Sequence, residues 1–317
     1  MSRPALALAV MLLAAGTARA VGFGSSAKGT AAADFLQLGA GARAAAMGEA
    51  YTAVADETTA LYWNPAAMTR LEGRSAVFMH APYVDSSHFD YLAYAQRLGE
   101  RDAWGASLQY FSAGGIAETD ETGTEIGTFS PRDFAFSAGY AYRVEEGLLP
   151  AFLNGYSFGL SLKYVRAAVR TAANTAAADL GLLSPAYLDG RLRAAFTITN
   201  MGGDLKFEEK YEDLPLAFRF GGALQISERW NAGLDFGLPK NNGPYAALGT
   251  EYILPVAKSI NLAGRAGINS RTIGDVDGFT GFSMGFGLLH DRYGFDYAFV
   301  PFGSLSLTHR ISISCRF

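Results

Sequence analysis

The sequence predicts an all-β protein: a transmembrane antiparallel β-barrel of about fourteen strands, preceded by a short helical N-terminal segment. Three observations lead there. Past Gly73 the hydrophobic pattern takes a period of two and keeps it to the last residue. The connections between the alternating stretches are by turns short and long. The composition is rich in glycine (37 residues) and aromatics (13%) and poor in charge (18%), which suits exported β-sandwiches and outer-membrane barrels.

The chain opens on an address. Arg3 supplies a short positive region, Ala5 to Ala15 is almost unbroken apolar sequence, and Ala18-Arg19-Ala20 has the small-x-small form of a cleavage site. Residues 1–20 read as a removed signal peptide. A membrane anchor would need roughly 20 apolar residues, and this run is too short. No cysteine near the cleavage point suggests lipoprotein processing. Removing Arg3 and Arg19 from 26 basic side chains leaves 24 against 30 acidic ones, a net charge of −6. A mildly acidic chain without a basic cluster argues against nucleic acid as a partner. The single Cys315 excludes an internal disulfide, which a chain of this length does not need to build a core. The four histidines show no metal-ligand spacing, so no metal or organic cofactor is expected.

Residues 21–73 are the second unit, rich in alanine and glycine and read as helix and turn. Ala42 to Ala55 has helical spacing, with Met47, Tyr51 and Val54 on one face, and Asp56 interrupts it. Asn64-Pro65 marks a stop and restart, with Asn64 as N-cap and Pro65 at the first helical position. So small and alanine-rich a segment is expected to pack against or inside something larger.

Residues 74–317 are the barrel. Trp104, Ala106, Leu108 and Tyr110 alternate with Gly105, Ser107 and Gln109, and Tyr156, Phe158, Leu160, Leu162 and Tyr164 alternate with Ser157, Gly159, Ser161 and Lys163. Phe134–Tyr142, Leu192–Ile198, Leu216–Ile226, Trp230–Leu238, Ile260–Ile268, Phe282–Leu288 and Tyr293–Phe299 repeat the pattern. Segments of roughly 9–12 residues suit a tilted strand crossing a bilayer, whereas strands in soluble sheets average about five or six.

A soluble sandwich also alternates, and three features favour the membrane. One face is uniformly large and aromatic while the other mixes Gly, Ser, Arg, Asp and Asn, as a wet lumen would. Aromatics gather at strand ends (Trp104, Tyr142, Tyr156, Trp230, Tyr252, Tyr293, Phe317), where an interfacial girdle places them. Short links near 99–102, 187–190, 227–229 and 289–291 oppose long ones near 112–132, 201–213 and 269–278, with 144–154 long for its side. In hydrocarbon the last strand must pair with the first, so a chain ending His309-Arg-Ile-Ser-Ile-Ser-Cys-Arg-Phe317 ends inside the seam.

FLQLGAGARAAAMGEAYTAVADETTALYWNPAAMTRL resembles the N-terminal signature of the PorV/PorQ family of outer-membrane proteins, and YAFVPFGSLSLTHRISISCRF resembles that family's last two strands. The resemblance implies a fourteen-stranded barrel similar to the FadL-type fatty-acid transporters, in the outer membrane of a Gram-negative-type bacterium. It makes 21–73 a plug, with Asn64, Pro65 and Ala66 as its hatch motif. It also makes the closing strand, with Ile311, Ile313 and Phe317, the signal read by the barrel assembly machinery. The function it implies is an accessory role in type IX-like secretion or surface attachment, with a translocon as partner. The alternative is FadL-like transport of a hydrophobic small molecule. A conduit should show an apolar pocket built from Phe35, Leu36, Met47, Tyr51, Tyr62, Trp63 and Met68. An interaction role should show that interior filled and apolar surface on the outer loops, for example at Phe129 or Phe207.

Enzyme-like strings read as structure. Gly281-Phe-Ser283-Met-Gly285 and Gly155-Tyr-Ser157-Phe-Gly159 match the nucleophile elbow, but both serines fall mid-strand, and His80, His88, His290 and His309 offer no evident partner. Gly39-Ala-Gly41-Ala-Arg-Ala44 matches a loose dinucleotide fingerprint without β-α-β units behind it, and reads as close packing of a plug. The inward-phase charges are Lys163, Asp179, Arg191, Arg193, Arg219, Asp235, Glu251, Arg265, Asp296, Arg310 and Arg316. They read either as ion pairs that stiffen the barrel and hold the plug, through Arg43, Glu49 or Asp56, or as a conduit lining.

Overall fold

The computed structural model describes residues 32–317 apart from 146, 149, 169–170, 208, 272, 274–277, 279 and 304–306. The signal peptide and the first residues of the 21–73 unit lie outside that range. No helix among the described residues is long and apolar enough to cross a membrane.

Fourteen antiparallel strands close into a barrel. In chain order they are β1 (Arg74–Pro82), β2 (His88–Arg97), β3 (Asp102–Ser112), β6 (Arg132–Arg143), β7 (Ser157–Ala168), β8 (Ala172–Leu183) and β9 (Leu192–Gly202). Then come β12 (Ala217–Ser227), β13 (Trp230–Pro239), β14 (Tyr245–Ala257), β15 (Ile260–Asn269), β16 (Phe282–His290), β17 (Tyr293–Pro301) and β18 (Leu307–Arg316). Two small hairpins rise from loops: β4 (Ile116–Thr119) with β5 (Glu125–Phe129), and β10 (Leu205–Phe207) with β11 (Lys210–Glu212).

The seam is β1 on β18, in register from Ser75–Arg316 to His80–Ile311. The Phe317 N–H donates to the Arg74 carbonyl (2.9 Å), and the Arg74 guanidinium lies 5.9 Å from the Phe317 ring centre. Two-sided alternation follows from the strand period. Leu160, Leu162 and Tyr164 are exposed outward, whereas Ser161 and Lys163 between them are buried. The end with turns 98–101, 228–229, 258–259 and 291–292 is the periplasmic one, and the end with loops 113–131, 203–216 and 270–281 is the outer one.

Residues 32–71 run inside the barrel. They form a 3₁₀ turn (Asp34–Gln37), helix α1 (Ala42–Ala46), helix α2 (Ala60–Trp63) and a 3₁₀ stretch (Pro65–Arg70). The helical spacing over Ala42–Ala55 is realised only to Ala46. Gly48 and Glu49 take positive φ (64° and 65°), and the chain from Met47 onward follows the barrel wall instead of its own axis.

Candidate functional site

The barrel wall holds the luminal segment at two seats. The first receives Asn64-Pro65-Ala66. Asn64 caps the 3₁₀ stretch, its Oδ1 accepting from the Ala66 N–H (3.0 Å), and Pro65 fills the first position, where no N–H is needed. The Asn64 amide donates to the carbonyls of Thr52 (3.1 Å) and Leu182 (3.2 Å), tying the segment to itself and to β8. Beneath the triplet lie Gly159 of β7 and Gly181 of β8, which are register partners. A methyl on Gly159 would overlap the Ala66 nitrogen, and one on Gly181 would overlap Asn64 Oδ1. Glycine is required because backbone meets backbone.

The second seat receives Met47 to Thr52. Gly233, Gly249, Gly267 and Ser283 are successive register partners across β13, β14, β15 and β16. A methyl on Gly249 would overlap the Met47 carbonyl, and one on Gly267 the Gly48 nitrogen. Ser283 Oγ accepts from the Gly48 N–H (2.9 Å) and donates to the Ala46 carbonyl (3.2 Å). Asp235 Oδ2 accepts from the N–H groups of Tyr51 (3.1 Å) and Thr52 (2.9 Å) and from the Thr52 hydroxyl (2.5 Å).

Both serines of the nucleophile-elbow look-alikes therefore touch the luminal segment, since Ser157 and Thr69 share a hydroxyl contact of 2.8 Å. In the fingerprint look-alike, Gly39 packs against Glu49 and Trp63, and Gly41 (φ 90°) packs against Thr59.

Charges join the two parts. Arg43 of α1 makes a two-pronged contact with Glu251 of β14 (2.8 and 2.7 Å), which also binds Arg265 (2.7 Å), and Arg265 binds Asp296 (2.6 Å). Arg43 also meets Asp56 (2.6 Å) and Glu57 (3.6 Å), and Arg70 donates to the carbonyls of Ala53, Val54 and Ala55. Burial raises the Asp56 carboxyl, but the Arg43 and Arg70 guanidiniums more than offset it and leave it below its usual range. At Glu57 burial outweighs Arg43, and its carboxyl is held above the usual range.

Elsewhere Arg310 donates to the Gly39 carbonyl (3.0 Å) and meets Glu49 (3.3 Å). Arg219 stacks near Tyr62 and Trp63 (5.8 and 4.9 Å). Lys163 pairs with Asp179 (2.7 Å) inside the wall. Arg193 is half-buried on the inward face of β9. Arg191 departs from the lumen assignment: β9 begins at Leu192, so Arg191 is an exposed turn residue. Arg316 is exposed at the periplasmic rim.

The seven residues assigned to an apolar pocket form packed core instead. Phe35, Leu36, Met47, Tyr51, Tyr62, Trp63 and Met68 are all buried. The Trp63 indole donates to the Ala40 carbonyl (2.7 Å) and the Tyr62 hydroxyl to the Leu36 carbonyl (3.2 Å). Tyr51 and Tyr62 meet the Trp63 ring edge-on at 5.9 and 5.0 Å. Phe207 packs onto the Phe35 and Leu36 cluster rather than standing free, and Phe129 is half-buried at the end of β5.

Two cavities flank α1. The outer one, about 380 Å³, is lined by Asp34, Gln37, Tyr83, Arg271, Arg310 and neighbours. The inner one, about 430 Å³, is lined by Arg43, Glu57, Arg70, Glu251, Arg265, Asp296 and neighbours. They share no lining residue and touch none of the seven core residues above. Between them α1 is pinned by the Ala42 N–H donating to Ser312 Oγ (2.8 Å), while Ala42, Ala45 and Ala46 pack on Ala298.

Known structures share this architecture. The Pseudomonas putida toluene transporter TodX superposes with a TM-score of 0.62 at 15% identity, over 88% of this chain and 98% of TodX. The Ralstonia pickettii toluene transporter TbuX gives 0.58 at 14% identity, over 88% and 98% of the two chains. A Pseudomonas aeruginosa FadL homologue gives 0.53 at 11% identity, over 87% and 97%. At these identities the likeness is one of fold. No curated protein matches the sequence. Residues 24–241, well over half of the chain, match the family described as type IX secretion system protein PorV. The chain is a member of the PorV family of type IX secretion proteins, outer-membrane β-barrels of FadL-like fold.

Proposed function

We propose that this barrel is a sealed accessory component of a secretion or surface-attachment machine, with residues 21–73 as its plug, acting by docking to other proteins rather than by conducting a solute. The observation that carries this reading is the filled lumen. The residues that would line an apolar conduit are core, and the two vestibules are kept apart by α1. The two elbow-like serines are spent on holding the segment, which supports a non-catalytic role. Transport of a hydrophobic small molecule is favoured by the toluene transporters of like fold, but α1 would have to leave Ser312 and Arg43 would have to leave Glu251.

Export through a cleaved signal peptide over 1–20, and recognition of the closing strand by the barrel assembly machinery, complete the reading. Ile311 and Ile313 face lipid, and Phe317 closes the seam against Arg74. Deleting Phe317 is expected to lower the amount of folded, heat-modifiable barrel in outer membranes, and normal amounts would refute the signal.

Native mass spectrometry of the barrel gently extracted from its own outer membrane tests the function. A protein bound at defined stoichiometry is expected. A lipid or small apolar molecule bound one-to-one, with no protein, would hand the role to transport.

A further inference from the structure

We infer that the luminal segment sets the register in which the barrel closes, with Gly39, Gly41, Ala42 and Glu49 acting as an internal gauge for the β1–β18 seam. The inference concerns assembly and stands whichever function the barrel serves. The seam is held by six register pairs, against nine for β1 with β2 and nine for β17 with β18. It joins strands from opposite ends of the barrel sequence, so no hairpin turn fixes it.

Alternation does not define this register either. A slip of one residue turns the side chains of β18 to the wrong faces, which lipid and lumen forbid. A slip of two keeps every face, and β18 runs Ile311-Ser312-Ile313-Ser314. Displaced by two, isoleucine lies where isoleucine lay and serine where serine lay.

The luminal segment removes the ambiguity because it bonds both seam strands. On β1, Met79 Sδ accepts from the Gly41 N–H (3.1 Å), and the Thr58 and Ser75 hydroxyls lie 2.5 Å apart. On β18, Ser312 Oγ accepts from the Ala42 N–H (2.8 Å), and Arg310 donates to the Gly39 carbonyl (3.0 Å) and meets Glu49 (3.3 Å). Met79 and Ser312 are register partners, so consecutive N–H groups at the start of α1 straddle the seam. Arg310, only 4% exposed, breaks the repeat. If β18 slips by two toward the outer end, Ser314 replaces Ser312 at Ala42, but Arg310 moves about 7 Å away from Gly39 and Glu49. If it slips the other way, Arg310 faces the N–H groups of Gly41 and Ala42, donor against donor. The observed register alone satisfies both Ser312 and Arg310.

Cys315, the chain's single cysteine, serves as reporter. It lies opposite Ala76, so an Ala76→Cys barrel forms a disulfide in the observed register. Phe78→Cys or Arg74→Cys forms one only after a slip of two. Barrels are oxidised with copper–phenanthroline in isolated outer membranes, the folded, heat-modifiable band is taken, and linked peptides are read by mass spectrometry. With Arg310 in place, the expected result is a link at 76 alone. Arg310→Ser completes the serine repeat and should send at least about a tenth of the links to 78 or 74. Arg310→Lys can still donate to Gly39 and Glu49 and should restore the link at 76 alone. Arg310→Ser linked only at 76 overturns the inference, because the strands then hold their register unaided. A link at 74 with Arg310 in place overturns it as well, since that variant lacks the Arg74–Phe317 ring contact and keeps the luminal ones. If the Arg310→Ser barrel does not accumulate, Glu49→Ala takes its place. Links at 78 or 74 then support the gauge, and links at 76 alone overturn it.

Discussion

The two seats hold the same segment by different physics. At Asn64-Pro65-Ala66 the contact is dry: glycines of β7 and β8 lie under backbone, and Leu61, Trp63 and Met68 close over it. At Met47 to Thr52 the glycine row is matched by charge, and α1 next to it has a cavity of about 380 Å³ on one side and about 430 Å³ on the other. The dry seat resists by packing, which has no intermediate states. The charged side is held by a chain of guanidiniums and carboxylates whose strength depends on every member staying paired. If part of the segment yields first, it is α1, where fewer apolar contacts oppose it.

Removing Glu251 is the sharpest way to break that contrast. It is fully buried between Arg43 and Arg265, so Glu251→Ala leaves two guanidiniums without their shared acceptor and should cost about 3–5 kcal/mol. Hydrogen exchange in detergent micelles should show protection lost over 42–52 and kept over 60–70. Uniform loss over both would mean that the seats are one cooperative unit. Next in size, Gly159→Val drives a branched side chain into the Ala66 backbone and should cost about 3 kcal/mol, with protection lost first over 60–70. Unchanged urea unfolding in that variant would show that the segment can shift off its seat freely.

Asn64→Ala comes third. It removes the cap, worth about 1 kcal/mol, leaves the Thr52 carbonyl without the Asn64 amide and unties the segment from Leu182 of β8, for a total of about 2 kcal/mol. A loss of only about 1 kcal/mol in urea unfolding would assign Asn64 the cap alone and leave its bond to the wall without energetic weight.

How much of this could be read beforehand divides along the wall. The outward face was legible because lipid demands large apolar side chains at every second position, as at Leu160, Leu162 and Tyr164. The terminal strand was legible because closure leaves no freedom for its last residue. The inward face was legible in phase but not in meaning. Gly159, Ser157 and Ser283 looked like a wet lining, and they are contact surface. The signal lay in register: glycines on the inward phase of paired strands, Gly159 with Gly181 and Gly249 with Gly267, mark a place where another backbone comes close. Register requires the strand pairing, which a single sequence does not state. The helix over Ala42–Ala55 failed for the same reason, since local spacing favoured it and the wall's glycine row overrode it.

The smallest predicted effect tests the charged side without dismantling it. Glu57 accepts from the Tyr51 (3.2 Å) and Thr59 (3.0 Å) hydroxyls at the edge of the inner vestibule, and its carboxyl is raised because burial outweighs Arg43. A group whose folded value lies above its unfolded one contributes stability that is complete below the unfolded value, about 4.3, and is lost as pH rises through the folded value. The α1 region should therefore become better protected as pH falls from neutrality toward 5. Glu57→Gln keeps an oxygen for both hydroxyls and cannot ionise, so it should flatten that dependence, with a change at neutral pH below about 1 kcal/mol because the side chain is partly wet. Hydrogen exchange over 42–59 at several pH values measures the slope directly. A Glu57→Gln slope equal to the wild-type one would move the pH sensitivity to the rest of the chain of charges around Arg43, and would make α1's hold on the wall indifferent to Glu57.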